Sequence, residues 1–134
     1  MAQIEDIEGI GPQYAEKLKA EGITSTDKLL EKAATAKARD ELASKTGIST
    51  KNILRWVNHA DLFRIKGIGS QFSELLEAAG VDTVPELAQR NAENLQAALA
   101  KTNEEKKLAK TTPAVSQVTT WIAEAKTLPK VVQH

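Results

Sequence analysis

Residues 7–31 and 65–89 are two copies of one segment. The first begins Ile7-Glu8-Gly9-Ile10-Gly11-Pro12-Gln13-Tyr14 and the second Ile65-Lys66-Gly67-Ile68-Gly69-Ser70-Gln71-Phe72, so residue 65 stands 65 − 7 = 58 places after its counterpart. Ile7, Gly9, Ile10, Gly11, Gln13, Glu16, Leu18, Ala20, Gly22 and Leu29 recur as Ile65, Gly67, Ile68, Gly69, Gln71, Glu74, Leu76, Ala78, Gly80 and Leu87. A chain that repeats itself is expected to build the same small unit twice. The register returns later, where Ile53, Trp56, Val57 and Ala60 align with Val118, Trp121, Ile122 and Ala125, now 118 − 53 = 65 places on. The second copy therefore holds 65 − 58 = 7 extra residues. They fall within 101–110, around Asn103-Glu104-Glu105-Lys106-Lys107, and that charged stretch is expected to be a solvated helix extension or a loop. The implied division is a first repeat over 1–62 and a second over 63–134.

Each copy reads as short helices. Pro12 follows a glycine turn, where a first-turn proline is tolerated, and Tyr14, Ala15 and Leu18 give the helix its apolar side. Gly22 and Gly80 are expected C-terminal caps, because a left-handed residue costs glycine little. Thr83 with Glu86 three residues on forms a capping box for the next helix; Ser25 is the equivalent in the first copy, but Lys28 in the partner position predicts a weaker start. A third helix is expected from about Ala38 to Thr46, ending at Gly47. A fourth opens at Ser49 and carries Ile53, Leu54, Trp56, Val57 and Ala60; its counterpart opens at Thr112-Pro113. The segment from Asn58 to Lys66 has no proline or glycine and reads as helix running into the second turn. No alternating β-branched run competes. A unit of about 60 residues buries little core alone, so the expected fold is all-α, two pseudo-symmetric repeats packed as one domain with a shared core.

Composition narrows function. Eighteen basic and 18 acidic side chains cancel, so no global field draws the chain to nucleic acid or anionic lipid and any polyanion site must be local. Without cysteine there is no thiolate nucleophile and no Cys-ligated zinc. The acidic residues Glu5 and Asp6 stand where a signal peptide needs basic and then apolar residues, and no apolar run nears membrane-spanning length. A cytoplasmic protein that does not bind membranes is expected. Catalysis finds no support: Glu16 and Glu74 each lack a second acid or a histidine at fixed spacing, His59 aligns with Glu124, and His134 is terminal and expected to be disordered. His59 reads as a partly exposed helix-face residue, and Trp56 and Trp121 as core. Lys101, Lys106, Lys107 and Lys110 are interrupted by Glu104 and Glu105 and read as a solvated helix face. The expectation is a non-enzyme with no catalytic residues, no metal and no cofactor.

The apolar-X-Gly-apolar-Gly turn that enters a helix, at Ile7-Glu8-Gly9-Ile10-Gly11 and again at Ile65-Lys66-Gly67-Ile68-Gly69, resembles the helix-hairpin-helix motif. The first copy is also similar to the N-terminal helical domain of the strand-exchange recombinases, through Ile7 to Leu18, Ala20-Glu21-Gly22-Ile23-Thr24 and Glu41-Leu42-Ala43-Ser44-Lys45-Thr46-Gly47-Ile48-Ser49, although no ATPase core follows. Over nearly the whole chain it resembles bacterial domains of unknown function built from tandem helix-hairpin-helix units, which implies SAM-like helical bundles. The resemblance implies sequence-independent DNA binding, in which turn and helix-N-terminal N–H groups approach a phosphate. A monovalent cation on the turn carbonyls is also implied by the family, with no side chain here to specify one.

Carried onto this chain, the phosphate-facing residues are Arg64, Lys66, Gly67, Gly69, Ser70 and Gln71, with a weaker second set at Gly9, Gly11 and Gln13. Charge makes the difference, since Asp6 and Glu8 flank the first turn where Arg64 and Lys66 flank the second. Two carboxylates oppose a phosphate, and Pro12 lacks an N–H to offer. The same reversal supports an alternative, a protein-interaction or self-association module in which oppositely charged hairpins meet.

Overall fold

The computed structural model describes residues 2–134 and is all-helical. A 3₁₀ turn at Ile4–Asp6 precedes eight helices: α1 Pro12–Ala20, α2 Thr26–Lys32, α3 Ala36–Thr46, α4 Thr50–Leu62, α5 Ser70–Ala78, α6 Val84–Ala88, α7 Ala92–Lys106 and α8 Val115–Ala125. The chain divides into two compact units, one made of the residues up to Asp61 with Val131–His134, the other of Leu62–Lys130.

In the first unit, Ile4, Ile7, Leu18, Ile23, Leu29 and Ile53 are fully buried around Trp56 and Val57. The helix ends follow from local chemistry. After α1, Ile23 N–H donates to Leu18 O and Gly22 N–H to Lys19 O, both at 3.0 Å, with Gly22 left-handed at φ +81°. That pair of bonds is the Schellman arrangement, which satisfies the last carbonyls of a helix. Ser25 Oγ accepts from Lys28 N–H at 3.2 Å and Thr35 Oγ1 from Ala38 N–H at 3.1 Å. Ser49 Oγ accepts from Asn52 N–H at 3.2 Å at the start of α4, and α3 closes on left-handed Gly47. Two expectations change here. His59 is buried at 1% exposure rather than lying partly open, and the His134 ring sits 3.0 Å from Asn58 Oδ1 rather than being disordered.

The second unit packs α5 against α7, and α6 and α7 against α8. Its core joins Leu62, Ile65, Ile68, Leu75, Leu76, Val81, Leu87, Leu95, Leu99, Val118, Trp121 and Ile122. The end of α5 repeats the Schellman bonds, Val81 N–H to Leu76 O at 2.8 Å and Gly80 N–H to Glu77 O at 3.0 Å. Thr83 is the N-cap of α6 as expected, but the capping box does not form: Thr83 makes no side-chain cap bond, and Glu86 instead accepts from Arg90 at 3.1 and 3.2 Å. An arginine one helical turn away offers the carboxylate a charged donor, which outcompetes a backbone N–H.

The extra residues of the second copy lengthen α7, which runs to Lys106 and ends on Lys107 in the left-handed region at φ 53°. Asn103 on this extension is buried, not solvated. Its Nδ2 donates to Ala109 O (3.1 Å) and Thr112 Oγ1 (3.3 Å), and its Oδ1 accepts from Ala109 N–H at 2.9 Å. The last helix begins at Val115, with Ala114 as its N-cap, past the expected Thr112-Pro113 start, whose threonine hydroxyl accepts from Asn103. Upstream, α4 stops at Leu62, so residues 63–66 form the entry to the second turn and not a continued helix.

Candidate functional site

The second turn is built by its own backbone and held from below by α8. Ile65 N–H donates to Leu62 O and Ile68 N–H to Ile65 O, both at 3.1 Å, burying the two isoleucines while Lys66, Gly67 and Gly69 stay exposed. Gly67 has φ +93°, and a Cβ there would lie 3.3 Å from Trp121 Nε1. A left-handed backbone against an indole leaves room only for glycine. Trp121 is fixed in turn by Phe72, ring centroids 5.2 Å apart and planes tilted by 57°.

Gly69 then serves as the N-cap of α5 with no side-chain cap bond. The first N–H groups of a helix have no partner within it, so α5 opens toward its exposed end with donors that no cap side chain takes up. Gln71, in this first turn, accepts from Lys110 N–H at 3.1 Å. That bond ties the backbone of Lys110, an exposed residue, to the first turn of α5. Ser70 accepts through its carbonyl from Ser73 Oγ at 3.1 Å.

Two contacts were not expected from the sequence. Arg64 Nη2 donates to Pro129 O at 2.8 Å, so its guanidinium helps hold the chain after α8. Lys66 N–H donates to Glu124 Oε1 at 3.2 Å, which sets a carboxylate against the turn. Of the residues assigned to the second turn, Lys66, Gly67, Gly69, Ser70 and Gln71 lie in or next to the start of α5, whereas the Arg64 guanidinium is bonded to Pro129 O.

The first turn has matching local geometry and a different surface. Gly9 also has φ +93°, with a Cβ position 3.5 Å from Trp56 Nε1, and Tyr14 stacks on Trp56 at 5.1 Å and 58°. A shallow pocket of about 510 Å³ is lined by Gly9, Gly11, Pro12, Gln13 and Tyr14. Asp6 Oδ2 accepts from Gln3 N–H at 3.0 Å, and Glu5 accepts from Lys19 Nζ at 2.6 Å, which holds the Glu5 carboxyl below its ordinary pKa. The sign is that of an anion already stabilised by a cation.

Among the described residues no group of three or more His, Cys, Asp or Glu side chains could hold a metal ion, and no helix is long and apolar enough to cross a membrane. The model of a protein family described as a domain of unknown function, DUF4332, matches residues 8–128, a span that includes both glycine turns. No curated protein and no solved structure matches the chain.

Proposed function

The chain belongs to the DUF4332 family, a domain of unknown function, and from that premise we propose that it is a non-catalytic binding module whose second glycine turn takes the phosphate backbone of DNA, weakly and without regard to sequence. The observation that carries this reading is the start of α5, where Gly69 as N-cap brings no side chain, with Lys66 in the turn before it and the Lys110 N–H bonded to Gln71. The helix dipole favours an anion at such an end, and lysines at positions 66 and 110 supply positive charge to the same segment. The helix-hairpin-helix resemblance of Ile65 to Gly69 supports the choice of DNA.

Two lysines on phosphates give a slope of log affinity against log salt of about −2, since each neutralised phosphate contributes about −0.9. Affinity then falls about tenfold between about 50 and about 200 mM salt, at the weak end of non-specific binding. Fluorescence anisotropy of a labelled duplex tests this. Lys66→Glu with Lys110→Glu abolishes binding if the reading holds, and undiminished binding by that variant overturns it.

A second reading rests on a separate feature. The pocket at Gly9, Gly11, Pro12, Gln13 and Tyr14, which follows Asp6 and Glu8 in the chain, suits a basic protein segment better than a phosphate. Association that survives the double lysine reversal and is lost on Tyr14→Ala would favour it.

A further inference from the structure

The Lys66 N–H that a phosphate would approach is already occupied. Glu124 Oε1 accepts from it at 3.2 Å, and Glu124 lies three residues after Trp121 on α8, on the face that supports the turn. Trp121 sits under Gly67 and fixes that face, so the Glu124 carboxylate is delivered to the turn with little freedom left to lose. The aligned residue at the first turn is His59, which is buried at 1% exposure, so the carboxylate belongs to the second turn alone.

We infer that Glu124 determines which anions the second turn accepts, as a tethered carboxylate that a ligand must displace from the Lys66 N–H. The inference rests on the reading of that turn as a phosphate site. A single phosphate ion competes poorly with an attached anion, because the attached one acts at high effective concentration. A DNA backbone engages Lys66, Lys110 and the start of α5 together, and several contacts made at once can expel the carboxylate. The turn therefore selects polyphosphates over lone phosphate ions.

Glu124→Gln is the informative variant, because it keeps an oxygen for the Lys66 N–H and removes the charge. The repulsion lifted, between two unit charges about 6 Å apart, corresponds to a factor of about 3 in affinity with water-like screening and up to about 100 with the weaker screening near a protein surface. Anisotropy with a labelled duplex should show E124Q binding tighter by a factor in that range, and in the wild-type protein the Lys66 amide resonance should move as duplex is added. Inorganic phosphate should move that resonance in E124Q and not in wild type. Wild type that binds duplex, with E124Q within about twofold of it, overturns the inference and leaves the DNA reading intact. No binding by either protein overturns the DNA reading and the inference with it, whereas binding by E124Q alone supports both. If E124Q does not fold, the wild-type amide decides: movement on DNA binding upholds displacement, and a stationary resonance in DNA-bound protein overturns it.

Discussion

Val132→Ala probes how the segment Val131–His134 is held in the first unit. Val132 is 2% exposed. Gln133 N–H donates to Ala34 O at 2.8 Å and Gln133 O accepts from Arg39 Nη2 at 2.7 Å. Arg39 is itself buried, and its Nη1 donates to Ala33 O and Ala34 O at 3.1 and 3.0 Å. Burial lowers the pKa of this guanidinium, and the neighbouring charge of Asp40 offsets part of the effect. The carbonyl cage, partly completed by Gln133, is what keeps the cation solvated.

Removing two methyl-sized groups costs about 1.6 kcal/mol in transfer alone. A ceiling comes from what the whole contact is worth. Burying the valine contributes about 2 kcal/mol, and the neutral and charge-assisted bonds contribute about 1 and about 2 kcal/mol. Ordering two residues costs about 3 kcal/mol, so about 2 kcal/mol is left. Because the segment can detach instead of enduring a cavity, the loss should lie between about 1.5 and about 2 kcal/mol. Urea unfolding followed by Trp56 fluorescence, with Trp121→Phe in both proteins compared, reads this difference. Val115→Ala, at a side chain 40% exposed, serves as the control and should change nothing measurable. A Val132→Ala loss below about 0.5 kcal/mol, the range of ordinary surface changes, would show that the segment is not docked in solution and refute the reasoning.

Gly67→Ala should destabilise by about 1–3 kcal/mol through its left-handed backbone and the Trp121 contact, whereas Gly69→Ala, at ordinary φ with open space around it, should stay within about 0.5 kcal/mol; thermal melts of both variants check the contrast. Asn103→Ala should cost about 2–4 kcal/mol, because it strands both the N–H and the carbonyl of Ala109; a change under about 1 kcal/mol in chemical denaturation would contradict the buried bridge. The Glu5 carboxyl, held low by the Lys19 hydrogen bond, supports the fold above the ordinary carboxylate pKa and loses that support as pH falls through its depressed value. An NMR titration should place its midpoint below the usual glutamate range, and Lys19→Ala should raise it toward that range.

The glycine turns and most helices were legible because their causes are local. Gly9, Gly67, Gly22, Gly47 and Gly80 all take positive φ where repeat and turn chemistry place them, and Pro12 opens α1 as a first-turn proline should. What stayed hidden depends on residues far apart in the chain. Glu124 meets Lys66 across 58 positions and Lys110 meets Gln71 across 39, with no spacing rule to announce either. The same holds for Asn103: as one polar residue in the charged stretch 103–107 it read as solvated, and its burial follows from the return of residues 109–112 onto α7. His59 failed differently, since a helix-face position on an amphipathic pattern cannot say whether the rest of the unit covers it. At the candidate site, residue types and turn shape were readable, while the acceptor against the turn and the Lys110 bond to Gln71 required the fold.

The most direct test of the central claim is a ¹⁵N-correlated NMR titration of the full chain with unlabelled duplex DNA at low salt, since it reports binding and place together. The account predicts that amide resonances of residues 66–72 and of Lys110 move in concert and return as salt is raised, while those of residues 9–13 stay still. Movement centred on Gly9, Gly11 and Gln13, or an unchanged spectrum at low salt, would contradict it.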